Sequence, residues 1–323
     1  HSGRGHAGGA RAVNGVAAAR QRGVALLVAL LVVALTTVVI AGLLDRSELV
    51  AARTRNVLRN EQVEAFQQGL EAYAARVLVR DSEDGPIDAN GDLWSVPLPP
   101  TPVPGGTLAG TMRDLDGCFN LNNLADPQGH ELWLQRLRNL LGVLQLDPRI
   151  ADAVADWIDL DREPREGGVE DNGYLGAVPP YRAADRPFAD VSELRLVRGV
   201  DGAAYARLAP YVCAVPAGNP LNVNTAPVAV LRALAPQAIT EAIAQRLWRD
   251  GQARWNGIGD FVAELARQGV VLAPAEQQGL GVRSRYFLAL GSVDLDGLHF
   301  RTLSLIERGP SGLRVLQRAR AEE

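Results

Sequence analysis

The densest group of chemistry-bearing side chains in this 323-residue chain lies between Asp156 and Asp171. Seven carboxylates stand there: Asp156, Asp159, Asp161, Glu163, Glu166, Glu170 and Asp171. Only Arg162 and Arg165 oppose them, so the segment carries −5 and contains no Cys or His. Hard oxygen donors without nitrogen or sulfur favour Ca²⁺ over zinc or copper. Counted from Asp159, acids fall at positions 1, 3, 5 and 12, the spacing of an EF-hand. Position 6, which an EF-hand needs as glycine, is Pro164. The segment is therefore not an EF-hand, and ligand geometry cannot be carried over from one. Asp159, Asp161, Glu170 and Asp171 lead the candidate ligands, with Asp156 and Glu163 behind them. The ion's role would be structural, holding a loop with Gly167, Gly168 and Gly173 that otherwise repels itself. Trp157, Ile158 and Tyr174 would anchor its ends. The alternative is a solvated acidic loop without an ion.

Other chemistry is sparse. Two of the four histidines, His1 and His6, lie in the first 23 residues, and His130 is the only one near Cys118. No nucleophile motif and no glycine-rich phosphate loop is present, so the sequence is read as a non-enzyme. Net charge is −4, and −8 without the four arginines of residues 1–23, which argues against general affinity for nucleic acid. All 33 basic residues are arginine, which is read as a base-composition bias.

The element that must carry this loop begins at the other end of the chain. Val24 to Leu44 is an uncharged run of 21 residues. As a helix it would be about 31 Å long, the thickness of a bilayer core. Arg4, Arg11, Arg20 and Arg22 precede it without any acid, so residues 1–23 stay cytoplasmic and the remainder lies outside. A cleavable secretory signal would have a shorter apolar stretch. From Asp45 to Asp81 there is no proline, and Phe66, Leu70, Tyr73 and Val77 share one helical face. One helix is thus expected from Val24 to about Arg80. In an oxidising periplasm Cys118 and Cys213 would pair. That closes a loop of 94 residues, for a chain-entropy stabilisation of roughly 4 to 5 kcal/mol. Two buried free thiols are the alternative.

Beyond the helix, Ser95 to Gly110 reads as a proline- and glycine-rich loop or extended segment. Thr107–Met112 and Leu115–Leu121 are candidate short strands. Tyr286–Val293 and Leu298–Glu307 form a hairpin around Asp294–Gly297. A turn at Gly309–Gly312 leads to a last strand, Leu313–Arg318. The middle, 120–278, is helical and reads as duplicated. Phe119-Asn120-Leu121-Asn122 matches Leu221-Asn222-Val223-Asn224 at an offset of 102 residues. Phe188, Val191, Glu193 and Leu194 match Trp255, Ile258, Asp260 and Phe261 at an offset of 67 residues, so the first copy holds about 35 more. In the second copy Asn224 or Thr225 is placed to cap a helix entered through Pro227. This opening resembles helix-hairpin-helix and SAM-like modules. The turns at Leu146–Arg149 and Leu234–Ala238 lack the glycines that would bring amides to phosphate.

A basic leader ending in Gly23, followed by a hydrophobic helix that turns amphipathic, resembles type IV prepilins and type II secretion pseudopilins. The family usually has Glu at the fifth mature position; here it is Val28. Lack of that glutamate, together with GCFNLNNL (Gly117–Leu124), DWIDLD (Asp156–Asp161), PPYRAADRPF (Pro179–Phe188) and LNVNTAP (Leu221–Pro227), is similar to the minor pseudopilin K family of type II secretion. The resemblance implies an α+β pseudopilin fold: a long N-terminal helix plus antiparallel β-sheet with a large all-α insertion of two SAM-like, helix-hairpin-helix-like repeats (about 119–200 and 221–270). The divisions are a leader 1–23, a transmembrane part 24–44, the rest of the helix and first part of the core 45–119, the insertion 120–278, and a closing β part 279–323. It further implies cleavage after Gly23 by the prepilin peptidase, methylation of Val24, and calcium in the helical domain. Partners would be other minor pseudopilins, the major pseudopilin and the inner membrane. The chain would initiate or cap the pseudopilus tip, with its C-terminal domain periplasmic. A membrane-anchored DNA-binding protein of the competence type is the alternative function.

Overall fold

The computed structural model describes residues 14–310 and 312–321; leader residues 1–13 lie outside the described residues. Helix α1 runs unbroken from Asn14 to Asp84. The expected helix is therefore present; it begins ten residues before Val24 and extends four residues beyond Arg80. Large apolar side chains from Val24 to Leu44 are exposed, 51–68% each, so this stretch is not the core helix of a globular unit. It reaches a mean hydropathy of 3.0 and is long enough to cross a bilayer.

Residues 65–323 form one compact unit. After α1, strand β1 (Leu98–Val103) pairs antiparallel with β2 (Gly106–Asp114). The chain then enters a helical domain. Its segments are β3 (Phe119–Asn120), α2 (His130–Val143), α3 (Ile150–Ile158), α4 (Asp171–Tyr174), α5 (Gly202–Leu208) and β4 (Val212–Cys213). They continue with β5 (Leu221–Asn222), α6 (Val228–Ala233), α7 (Glu241–Trp248), α8 (Ile258–Arg267) and β6 (Leu280–Gly281). The chain returns through β7 (Tyr286–Leu295), β8 (Leu298–Gly309) and β9 (Gly312–Ala321). The large sheet has the order β1-β2-β7-β8-β9, with every neighbouring pair antiparallel.

Alternation fixes which face of this sheet meets the helix. Phe287, Ala289 and Ile306 are buried with Ala74, Val77 and Leu78 of α1 and with Trp94. Gly110 and Gly291 lie under Leu70: a Cβ at either would stand 2.6–2.7 Å from a Leu70 methyl. The helix can settle onto the sheet because those two side chains are absent. Asp296 and Gly297, with φ of 50° and 77°, make the two-residue connection between β7 and β8. Two positive φ values match the twist of the flanking strands. Of the two readings of Ser95–Gly110, loop or extended segment, the extended one holds over most of its length, as the edge strand β1 and the start of β2. Pro99, Pro100 and Pro102 are compatible with β1 because it is an edge, and they block pairing with another chain. The expected strand Leu115–Leu121 contracts to β3, with a 3₁₀ turn over Leu121–Ala125.

The two asparagine motifs of the helical domain make matching contacts. Asn122 donates through Nδ2 to Phe188 O (2.9 Å) and accepts from Phe188 N (2.7 Å). Asn224 donates to Trp255 O (3.1 Å) and accepts from Trp255 N (2.6 Å). Asn120 and Asn222 each accept from the amide two residues on. Parallel bridges flank both motifs, β3 to β4 and β5 to β6. Asn224 and Thr225 do not cap α6. Pro227 precedes that helix without a side-chain cap, and Thr225 Oγ1 donates to Asp114 Oδ2.

That contact belongs to a polar junction where the helical domain meets the sheet. Arg285 N and Tyr286 N donate to Asp116 Oδ2. Asn222 Nδ2 donates to Ser284 Oγ (2.7 Å) and to Asp88 O (3.0 Å). Arg308 pairs with Asp81 (3.3 Å) and with Asp88. Burial, followed by the charge of Asp114, pushes the Asp116 carboxyl up to about 7. Asp114 rises to about 6, chiefly through burial and against the Thr225 hydrogen bond. Cys118 and Cys213 are bridged beside this junction, their Cα atoms 5.9 Å apart.

Candidate metal centre

Helix α3 buries Ala153, Val154, Ala155, Trp157 and Ile158, and this packing fixes the direction in which its C-terminus ends. Asp156 lies on the same segment, fully buried. A buried carboxylate needs a cation and donors. Arg165 supplies both: its Nη1 donates to Asp156 Oδ1 (2.6 Å) and its backbone N to Asp156 Oδ2 (3.1 Å). The same Nη1 donates to Asp159 Oδ2 at 2.5 Å. Gly168 passes so close to Asp156 that a Cβ there would stand 1.8 Å from Oδ2.

Beyond Asp159 the chain turns outward and Asp161 Oδ1 accepts from Glu163 N (2.9 Å). It returns to Glu170, which precedes α4. Tyr174, at the end of α4, packs edge-on to Trp157 with ring centroids 5.3 Å apart and beside Tyr181, also at 5.3 Å. This aromatic group anchors the far end of the loop. One carboxylate oxygen from each of Asp159, Asp161 and Glu170 lies within 4.8 Å of the others. Glu170 is 8% exposed, and its Oε1, like Asp159 Oδ1, is buried without a hydrogen-bond partner. Burial, then the charges of Asp156, Asp159, Asp185 and Asp161, pushes the Glu170 carboxyl up to about 7. Two orphaned, buried acceptors among three converging carboxylates are what an oxygen-binding cation would satisfy.

The structure thus brings together three of the six candidate ligands. Asp156 is engaged by Arg165 at both oxygens. Asp171 opens α4, where it pairs with Arg182 (3.2 Å) and accepts from Ala183 N (3.2 Å). Glu163 is exposed and contributes its amide to Asp161. Two roles at the site escaped the sequence reading, which counted Arg165 only as an opposing charge and His130 only as the histidine near Cys118. His130 Nδ1 faces Leu124 O (2.7 Å) and its Nε2 faces Arg165 Nη2 (3.2 Å). A carbonyl only accepts, so Nδ1 carries the proton and Nε2 accepts from Arg165. No local pattern links His130 to Arg165, 35 residues later.

Known proteins place this architecture. The family model described as "Type II secretion system (T2SS), protein K" matches residues 117–217 and again 221–283. Type II secretion system protein K of Pseudomonas aeruginosa is 37% identical, over 92% of this chain and 92% of that protein. This chain belongs to the type II secretion system protein K family. The Klebsiella pneumoniae relative is 34% identical, over 93% of this chain and 96% of its own length. The fold agrees as well. A chain in the crystal structure of the GspK-GspI-GspJ complex from the enterotoxigenic Escherichia coli type 2 secretion system superposes with a TM-score of 0.75 at 30% identity. The match covers 84% of this chain and 100% of that one. The protein is a minor pseudopilin of type II secretion, a structural part of the export machinery. The comparisons lend no support to the competence-type DNA-binding alternative.

Proposed function

We propose that this minor pseudopilin occupies the tip of the pseudopilus and initiates or caps its assembly. Val28 carries the reading. It is the fifth residue after Gly23 and is 53% exposed in the apolar part of α1. A carboxylate there would cost a few kcal/mol in the bilayer unless a subunit above supplied a partner. A subunit with nothing above it has no use for one. In this account the prepilin peptidase cuts after Gly23 and Val24 becomes the methylated N-terminus. The span crosses the inner membrane once, with residues 65–323 in the periplasm. Partners corresponding to GspI and GspJ, and the major pseudopilin below, pack along α1. Gold-labelled antibody against the helical domain should mark one end of isolated pseudopili; label along their length would contradict the tip position.

The helical domain is read as two copies of one SAM-like unit. Its support is the matched pair of asparagine clamps on Phe188 and Trp255. Asp159, Asp161 and Glu170 are proposed to hold a structural Ca²⁺, supported by their two orphaned acceptors. The melting temperature of the full chain in detergent should rise with CaCl₂ relative to EDTA, and an unchanged value would contradict the ion.

A further inference from the structure

We infer that Arg165 is the positioning residue of this cation site. The inference rests on the calcium reading and adds what sets its affinity. A guanidinium beside three converging carboxylates is a paradox if charge alone matters, because it repels the incoming divalent cation. Its contacts show what it gives in return. Both oxygens of Asp156 are occupied by Arg165, one by Nη1 and one by the backbone amide. Asp156 therefore serves as the buried anchor of the arginine and is removed from the ligand set. Nη1 also takes Asp159 Oδ2, leaving Oδ1 as the oxygen without a donor. Asp159 follows the last residue of α3, where its own amide donates to Ala155 O. Its side chain would otherwise be free to turn toward water; the guanidinium fork fixes its rotamer.

The arginine is itself held on a second side. Nη2 donates to His130 Nε2, and the His130 ring is fixed by its Nδ1 proton on Leu124 O. Leu124 belongs to the 3₁₀ turn that follows the first asparagine motif. A chain of hydrogen bonds thus runs from that turn, through His130 and Arg165, to Asp159. Lysine could not reproduce it: a point ammonium lacks the planar fork that meets two carboxylates and an imidazole in fixed directions. Groups that orient a metal ligand without touching the metal typically change affinity 10- to 100-fold when removed.

The test is a calcium titration of the full chain in detergent, stripped with EDTA, by calorimetry. Wild type is compared with Arg165→Gln, Arg165→Lys and His130→Leu. Arg165→Gln removes a positive charge, so Coulomb attraction alone predicts tighter binding. Positioning predicts the opposite sign: about 10- to 100-fold weaker for both arginine variants, and weaker in the same direction for His130→Leu, which leaves the loop sequence intact. Terbium in place of calcium gives a second readout. Luminescence lifetimes in H₂O and D₂O should show additional metal-bound water in the variants, because Asp159 no longer holds its place. Equal or tighter calcium binding in Arg165→Gln, or an unchanged water count, overturns the inference while leaving the ion. A wild type that takes up no calcium overturns both. Circular dichroism in saturating calcium separates a lost fold from a lost ligand, and His130→Leu decides if the arginine variants do not fold.

Discussion

Asp116→Asn should make the stability of this protein less dependent on pH. Asp116 is 3% exposed and sits where the helical domain joins the sheet, accepting from the amides of Arg285 and Tyr286. Its carboxyl is raised from an ordinary 3.8 to about 7, by burial first and the Asp114 charge second. A folded-state pKa above the unfolded one means that folding takes up a proton. The associated stability is complete below about pH 4 and is lost as pH rises through about 7. A shift of about 3 units corresponds to about 4 kcal/mol as a ceiling. Asp114 shares the effect, so about half of it, about 2 kcal/mol, is the working figure for one residue. For a unit of this size that is about 4 to 8 °C in melting temperature. Asparagine keeps an acceptor for the two amides and cannot ionise. The assay is the melting temperature of wild type and variant in detergent from pH 4.5 to 8.5. The difference, variant minus wild type, should grow across the interval by several degrees. Parallel curves would refute the reasoning, because proton uptake by Asp116 on folding would then contribute nothing.

Three further changes test separate parts of the structure. Gly168→Ala places a methyl within 1.8 Å of Asp156 Oδ2; it should lower the melting temperature by an amount equivalent to about 2 kcal/mol or more and weaken calcium binding. Asn224→Ala strands two buried peptide groups, both of Trp255, and Asn122→Ala strands three, the two of Phe188 and the carbonyl of Val215. Each should cost about 2 to 4 kcal/mol in thermal denaturation, with the larger loss at Asn122, which holds one more buried carbonyl. Replacing Cys118 and Cys213 together by serine reopens a bridge 95 residues apart in sequence; the expected loss is about 4 kcal/mol, and added reductant should then leave the variant's melting temperature unchanged while lowering that of wild type.

What the sequence revealed, and what it hid, follows from the range of the interactions. The span, the continuing helix and the β7–β8 hairpin depend on neighbours within a few residues, so their periodicity and turn chemistry were readable. The paired motifs at Asn120–Asn122 and Asn222–Asn224 were readable as repetition, although not as clamps, because their targets lie 66 and 31 residues away. Thr225 looked like a helix cap by local rule, but the Asp114 carboxylate, 111 residues earlier, claims its hydroxyl. The acidic loop showed its charge but not its partition. Arg182 draws Asp171 away, and Arg165, counted only as a charge, fills Asp156. β1 stayed open between loop and extended segment because prolines argue against strands in general, while an edge position tolerates them.

The central claim, a processed minor pseudopilin, is tested most directly by the mass of its N-terminal peptide. The full-length chain would be expressed in cells with an active prepilin peptidase, purified from membranes and examined by mass spectrometry. The account predicts a chain beginning at N-methylated Val24. An uncut leader still joined through Gly23 would contradict it.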